Sequence, residues 1–311
     1  MELYPPIEPN DSGWLRVDRD HKLYWEKCGN SIGIPVLILH GGPGAGGNKV
    51  LRRFFNPIKF NIIIFDQRGA GRSLPNASIK NNTTQYLIED IEILRKYLNI
   101  EKWVIFGGSW GSSLALAYAQ KYNKNVLSMI LRGIFLCSRE EVEWFLYKMK
   151  IIFPDYWDNF VSILNKKEKK DILKSYHSRL INPDPKIHLE AAIAWARYEA
   201  NCSTLLPNAS KSIKFRDTKM ALSLSRIEAH YFLNNLFLEK DQILKNIHKI
   251  RHIPGLIIQG RYDVICPPEN AFALHKEWEN SQLKIVEKAG HSAIDKNIQE
   301  MLLKTMVEFK V

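Results

Sequence analysis

Short apolar runs recur along the chain without polar interruption: Val36-Leu37-Ile38-Leu39, Ile62-Ile63-Ile64-Phe65, Trp103-Val104-Ile105-Phe106, residues 126–131 and Leu256-Ile257-Ile258, with Leu283-Lys284-Ile285-Val286 nearly so. A strand covered on both faces loses the period-two signal of a half-exposed one, so these runs predict parallel strands between layers of helix. Residues 84–98 and 112–121 place their apolar positions at helical spacing between the runs. That alternation is a βαβ series and predicts an α/β, doubly wound, mostly parallel sheet.

The rhythm stops after Leu131-Arg132-Gly133 and resumes at Pro254-Gly255. Between them lie aromatic-rich helical patterns at 140–150, 188–200 and 223–236, with no convincing strand. The simplest organisation is one core made of residues 1–133 and 238–311. A helical cap, residues 134–237, is inserted over the strand ends. Residues 208–218 read as a loop within that cap.

Composition narrows the class. With 311 residues, 45% of them apolar, the chain has too much core-forming material for a disordered or fibrous protein. Cys28, Cys137, Cys202 and Cys266 are far apart and form no Cys-x-x-Cys pair, which argues against a zinc knuckle or a dense disulfide framework. The start, Met1-Glu2-Leu3-Tyr4-Pro5-Pro6, lacks the basic and apolar regions of a signal peptide. No run approaches the ~20 apolar residues needed to cross a bilayer. A soluble, cytoplasmic protein without a membrane partner is expected. Lys and Arg total 44 against 33 for Asp and Glu, a net charge of +11, but the positive charges are scattered. The densest run, residues 166–170, is interrupted by Glu168 and reads as a solvated face, so no nucleic-acid partner is expected.

Gly107-Gly108-Ser109-Trp110-Gly111 follows one predicted strand and opens a predicted helix. This is the G-x-S-x-G setting of the nucleophile elbow of α/β-hydrolases. A serine hydroxyl attacks only when a base takes its proton, and the base needs an orienting carboxylate. In such a core the order along the chain is Ser, acid, His. Asp263 leaves the strand 256–258 in Gly260-Arg261-Tyr262-Asp263, and His291 follows the last strand in Ala289-Gly290-His291. The expected triad is therefore Ser109, Asp263 and His291. Acyl transfer also needs preorganised N–H donors for an oxyanion. These are assigned to the backbone of Trp110, after the nucleophile, and of Gly42 in His40-Gly41-Gly42-Pro43-Gly44. A phosphate-binding loop is excluded because Asn48 stands where G-x-x-x-x-G-K-[ST] requires Lys. No cofactor or metal is expected.

With these motifs placed, nearly the whole chain resembles the proline iminopeptidases, α/β-hydrolase aminopeptidases that release N-terminal proline. The resemblance rests on the three glycine-containing motifs at 40–44, 66–73 (Asp-Gln-Arg-Gly-Ala-Gly-Arg-Ser) and 107–112. Leu131-Arg132-Gly133-Ile134-Phe135, Phe153-Pro154-Asp155 and Gly260-Arg261-Tyr262-Asp263 add to it. It implies that small peptides with N-terminal proline are the substrates, and that Glu199 and Glu228 hold the substrate's charged amine. It also implies that some of Phe135, Trp144, Phe145, Trp195 and Tyr198 wall a proline pocket. The family more often has Trp at the position of Tyr198. The same triad could serve an esterase or a lactonase instead, and a ligand-binding protein on an inactive hydrolase scaffold is a further alternative. Cys266 lies three residues beyond Asp263, where a bulky thiol reagent could displace the acid.

Overall fold

Residue parity explains why the strands lack polar alternation. In β3 (Ile34–Leu39), Val36 and Ile38 join one buried cluster while Leu37 and Leu39 join the other. Every residue of β4 (Phe60–Phe65) is likewise buried, with Ile62 and Ile64 on one side and Ile63 and Phe65 on the other. Both faces of the sheet are core, so each strand position is under the same demand to be apolar.

The computed structural model describes residues 2–206 and 217–309. It contains an eight-stranded sheet in the order β1-β2-β4-β3-β5-β6-β7-β8. The further strands are β1 (Asp11–Arg16), β2 (Lys22–Gly29), β5 (Trp103–Ser109), β6 (Val126–Ile134), β7 (Gly255–Gly260) and β8 (Ser281–Val286). From β4 to β8 all pairings are parallel, while β1 and β2 add an antiparallel edge. The sequence pattern does not announce that edge. β1 is largely exposed, and β2 carries a buried Glu26 that is ion-paired with Arg52 and Arg72 at 2.7 Å each.

Helices α1 (Thr84–Tyr97) and α2 (Trp110–Lys121) fall on the two helical patterns expected in the first part of the core. Between β6 and β7 the described residues are helical: α3 (Arg139–Glu143), α4 (Pro154–Val161), α5 (Ile172–Leu180), α6 (Pro185–Cys202) and α7 (Thr218–Leu233). The pattern at 140–150 is not one α-helix. α3 passes into a π-helical turn at Trp144–Lys148 and a 3-10 turn at Met149–Ile151. The loop expected at 208–218 lies, as far as residue 216, outside the described residues, and Thr218 already opens α7. The core closes with α8 (Gln242–Lys245), α9 (Pro268–Glu277) and α10 (Lys296–Glu308). Among the described residues no helix is long and apolar enough to cross a membrane.

The helical segment has its own aromatic core. Phe160 stacks on Tyr176 and Tyr198 at 4.5 Å between centroids, and Trp195 meets Tyr176 edge-on at 5.2 Å. Helix α7 joins this core to the sheet. Tyr231 packs edge-on against Trp110 at 5.1 Å, and its hydroxyl donates to Asn82 Oδ1 at 2.9 Å. All three side chains are buried.

Tyr231→Phe should therefore strand the Asn82 carbonyl inside the protein, at a cost of about 1–3 kcal/mol. Urea unfolding should show a lower midpoint at unchanged slope; an unchanged midpoint would mean that this contact does not hold α7 to the core.

Candidate active site

Ser109 ends β5 and caps α2 with φ 57° and ψ −131°, a conformation that strains any residue with a side chain. The two outer glycines of the motif make the turn possible. A Cβ on Gly107 would lie 2.3 Å from the Gly111 carbonyl oxygen, and one on Gly111 would lie 2.3 Å from that of Leu39. Strand and helix cross too closely for any side chain there. The Ser109 side chain stands at the sheet's C-terminal edge, with Gly41 against it. The first N–H groups of α2, beginning at Trp110, have no partner within the helix.

Asp263 and His291 meet after β7 and β8. His291 Nδ1 lies 3.0 Å from Asp263 Oδ1 and 2.8 Å from Oδ2. The carboxylate also accepts Gln259 Nε2 at 3.0 Å and the Cys266 N–H at 2.8 Å. Those bonds fix its position and leave it facing the imidazole. Ser109 forms no hydrogen bond with His291; its hydroxyl instead contacts the Cys266 thiol. Nucleophile–base bonds are often long in ligand-free enzymes and tighten on substrate binding.

The loop carrying Gly42 is pressed between elbow and cap. Gly42 and Gly44 have φ of +106° and +102°. A Cβ on Gly44 would lie 2.5 Å from the Ser223 carbonyl oxygen, and one on Gly42 would lie 3.0 Å from Leu224 Cδ1. Ser223 Oγ donates to the Gly44 carbonyl at 3.0 Å. Helix α7 thus lies on the backbone of the loop proposed to hold an oxyanion.

The same helix carries Glu228, and α6 brings Glu199 to it. Glu228 is buried and accepts Trp195 Nε1 at 2.6 Å. The two carboxyl groups interact directly, and a proton held between them would relieve their repulsion. Glu199 keeps some solvent access, yet its Oε2 is sealed and meets no donor. Among the described residues neither carboxylate has a salt bridge. Burial pushes the Glu199 carboxyl up to about 7. Burial, and then repulsion from Glu199, raises Glu228 well above the ordinary carboxylate range. Of the aromatic residues considered as pocket walls, Trp195 touches this pair. Tyr198 turns its hydroxyl away, to the Phe145 carbonyl at 3.0 Å, and Trp144 donates to Val264 O at 2.7 Å.

Two polar residues that motif reading did not single out position the dyad. Gln259, within the apolar β7, donates to Asp263 and to the Cys266 carbonyl at 2.9 Å while accepting the Ile134 N–H at 3.0 Å. Arg132, at the end of β6, donates to the His291 carbonyl. A lone amide or guanidinium in a strand buried on both faces must be satisfied somewhere, and that demand was the available signal. No group of three or more His, Cys, Asp or Glu residues among the described residues could hold a metal ion.

The chain as a whole is similar to known proteins. A family model described as alpha/beta hydrolase fold matches residues 34–298. A proline iminopeptidase of Xylella fastidiosa is 47% identical over 306 residues, covering 97% of this chain and 98% of that one. One from Arabidopsis thaliana is 47% identical over 304 residues, covering 97% and 80%. One from Neisseria meningitidis is 43% identical over 307 residues, covering 98% and 97%. Among solved structures, an alpha/beta hydrolase from a deep-sea metagenome library superposes with TM-score 0.67 at 18% identity, covering 96% and 98%. An esterase from Exiguobacterium antarcticum gives 0.65 at 19%, covering 94% and 97%. At that identity the likeness is one of fold.

Cys266 sits between the candidate acid and nucleophile, and burial together with the Asp263 charge raises its thiol well above the ordinary value. Reagents that need the thiolate should react slowly at neutral pH and faster as pH rises. Once attached, a bulky adduct should stop turnover by displacing Asp263 and crowding Ser109. Cys266→Ser should stay active and become resistant in a time course of inactivation; an inactive Cys266→Ser would assign the thiol a direct role.

Proposed function

The chain belongs to the proline iminopeptidases of the alpha/beta hydrolase fold, and from that premise we propose that it releases N-terminal proline from peptides through an acyl-enzyme on Ser109. In this reading Ser109 Oγ attacks the prolyl carbonyl while His291 Nε2 takes the hydroxyl proton. Asp263 holds the other ring nitrogen and stabilises the imidazolium. The electron pair displaced from the carbonyl settles on an oxyanion facing the N–H groups of Gly42 and Trp110. Collapse breaks the peptide C–N bond, and His291 gives its proton to the departing amine. Water, deprotonated by His291, then hydrolyses the prolyl ester and regenerates Ser109.

The observation that carries the substrate assignment is the Glu199–Glu228 pair. Two buried carboxyls that find no cation among the described residues offer a place for one from outside. The ammonium of an N-terminal proline has two N–H donors, enough to bridge them, and on arrival it replaces their shared proton. Helix α7 sets this anchor a single turn from the contact with Gly42. Residues 134–237 then act as a cap that measures the distance from free amine to scissile carbonyl. A neutral ester would gain nothing from the pair. A cytoplasmic setting fits four cysteines that are all free thiols.

Ser109→Ala should abolish turnover and leave folding intact; near-normal rates in that variant would refute the covalent step. Glu199→Gln and Glu228→Gln should each lower kcat/KM for prolyl amides about 100-fold or more, since unpairing one member of a buried charge cluster costs about 3–5 kcal/mol. Slow hydrolysis of a neutral activated ester should survive both changes. Equal loss on ester and amide would make the pair structural. The pH sign follows from the raised carboxyls: protons compete with the ammonium, so KM for prolyl amides should rise as pH falls below about 7. KM for the neutral ester should not follow it.

A further inference from the structure

The motif at 66–73 contains a buried amide that the mechanism above does not use. Gln67 is 1% exposed and lies directly after β4. Its backbone N–H donates to His40 Nε2 at 2.9 Å, and its side-chain Nε2 donates to the His40 carbonyl at 2.9 Å. Its Oε1 accepts the Trp110 indole N–H at 2.9 Å. The bonds fix the His40 tautomer. Nε2 must hold a lone pair to accept from a backbone N–H, so Nδ1 carries the proton and faces the Gly41 carbonyl at 3.0 Å. Burial favours that neutral ring.

We propose that Gln67 is a positioning residue for the oxyanion hole, locking the loop that carries the Gly42 N–H to the elbow residue Trp110. The inference rests on the reading of those two N–H groups as the oxyanion donors. They come from separate segments, β3–loop and β5–α2, and the peptide backbone supplies no covalent tie between them. The Gln67 side chain contacts both segments at once. It holds the loop by the residue two before Gly42 and the elbow by the indole of Trp110 itself. The far end of the same loop is held independently, because Asp66 Oδ1 accepts the Gly47 N–H at 2.6 Å. Removing the Gln67 amide therefore loosens the donor-bearing end, which keeps the backbone bond to His40 Nε2 and the Ser223 bond at Gly44. It also leaves the His40 carbonyl and the Trp110 indole N–H buried without partners, so both segments must shift to find them. None of the bonds removed reaches Glu199 or Glu228, so the loss should fall mainly on stabilisation of the tetrahedral state and far less on ground-state capture of the amine.

The test separates these two states with two ligands of one size. Prolinal, the aldehyde of proline, takes Ser109 Oγ onto its carbonyl carbon. The C–O bond forms, the π pair moves to oxygen, and the hydroxyl proton passes to His291. Its affinity thus reads the oxyanion hole. Proline has the same ring and ammonium and makes no such adduct. In Gln67→Met, kcat for prolyl amides and prolinal affinity should fall together by about 100-fold, the scale of a 1 Å misplacement, while KM and proline affinity stay within about threefold of wild type. Gln67→Glu keeps an acceptor for the Trp110 indole but sets an oxygen against the His40 carbonyl, so kcat and prolinal affinity should again fall together while proline affinity holds. It also carries the test if the Met variant does not fold. Parallel loss of proline and prolinal affinity, or kcat and prolinal affinity within about threefold of wild type in a folded variant, would overturn the proposal. Wild-type enzyme that binds prolinal no more tightly than proline would overturn the oxyanion reading itself, and the proposal with it.

Discussion

A single backbone contact joins the helix of Glu228 to the loop beside Ser109 in this fold. Helix α7 lies so close to the loop at Gly42 and Gly44 that a methyl group at Gly44 would sit 2.5 Å from the Ser223 carbonyl oxygen. One turn further along, the same helix presents Glu228. Whatever fixes α7 therefore fixes the distance between Glu228, the proposed amine anchor, and the loop proposed to hold the oxyanion. Tyr231, wedged against Trp110 and bonded to Asn82, fixes it from the other side of the elbow. In the proposed function the cap is then no lid laid over a finished site, because one wall of the site belongs to it.

Electrostatics makes that wall selective. A chain at +11 repels cations at long range, so a cationic substrate must be drawn by something local. In the proposed function Glu199 and Glu228 would supply it at the cost of burying two like charges, a cost that a proton shared by the empty pair would relieve. The pair is then a proton site and an ammonium site at once, with the two cations exclusive. A neutral substrate leaves it in its protonated form and gains no attraction. By contrast, the buried ions of the core are satisfied within the protein: Arg68 with Asp90 at 2.6 Å and Arg52 with Glu26 at 2.7 Å.

Much of this was legible from the sequence because the signals were local. The parallel strands came from continuous apolar runs, and Ser109 came from glycines whose necessity is steric. The edge strands β1 and β2 escaped because their pattern is mixed: Glu26 is polar yet buried, and β1 is mostly exposed. The 140–150 helix breaks into a π-turn at Trp144, whose indole finds its acceptor at the Val264 carbonyl more than a hundred residues away, a contact that local periodicity does not carry. Gln67, Gln259 and Arg132 were invisible as functional residues for the same reason. Each matters through a partner distant in sequence, and nothing in the neighbouring residues announces that partner.

In the proposed function an ammonium displaces a proton from the Glu199–Glu228 pair. Calorimetric titration with L-prolinol, a cationic ring amine without a scissile bond, measures this directly when repeated in buffers of different ionisation enthalpy. The account predicts that about one proton leaves the protein per prolinol bound at pH 7, and that the release shrinks as pH rises and the empty pair ionises. N-acetylprolinol should neither bind nor release a proton. Heats of prolinol binding that are independent of buffer at every pH would contradict it.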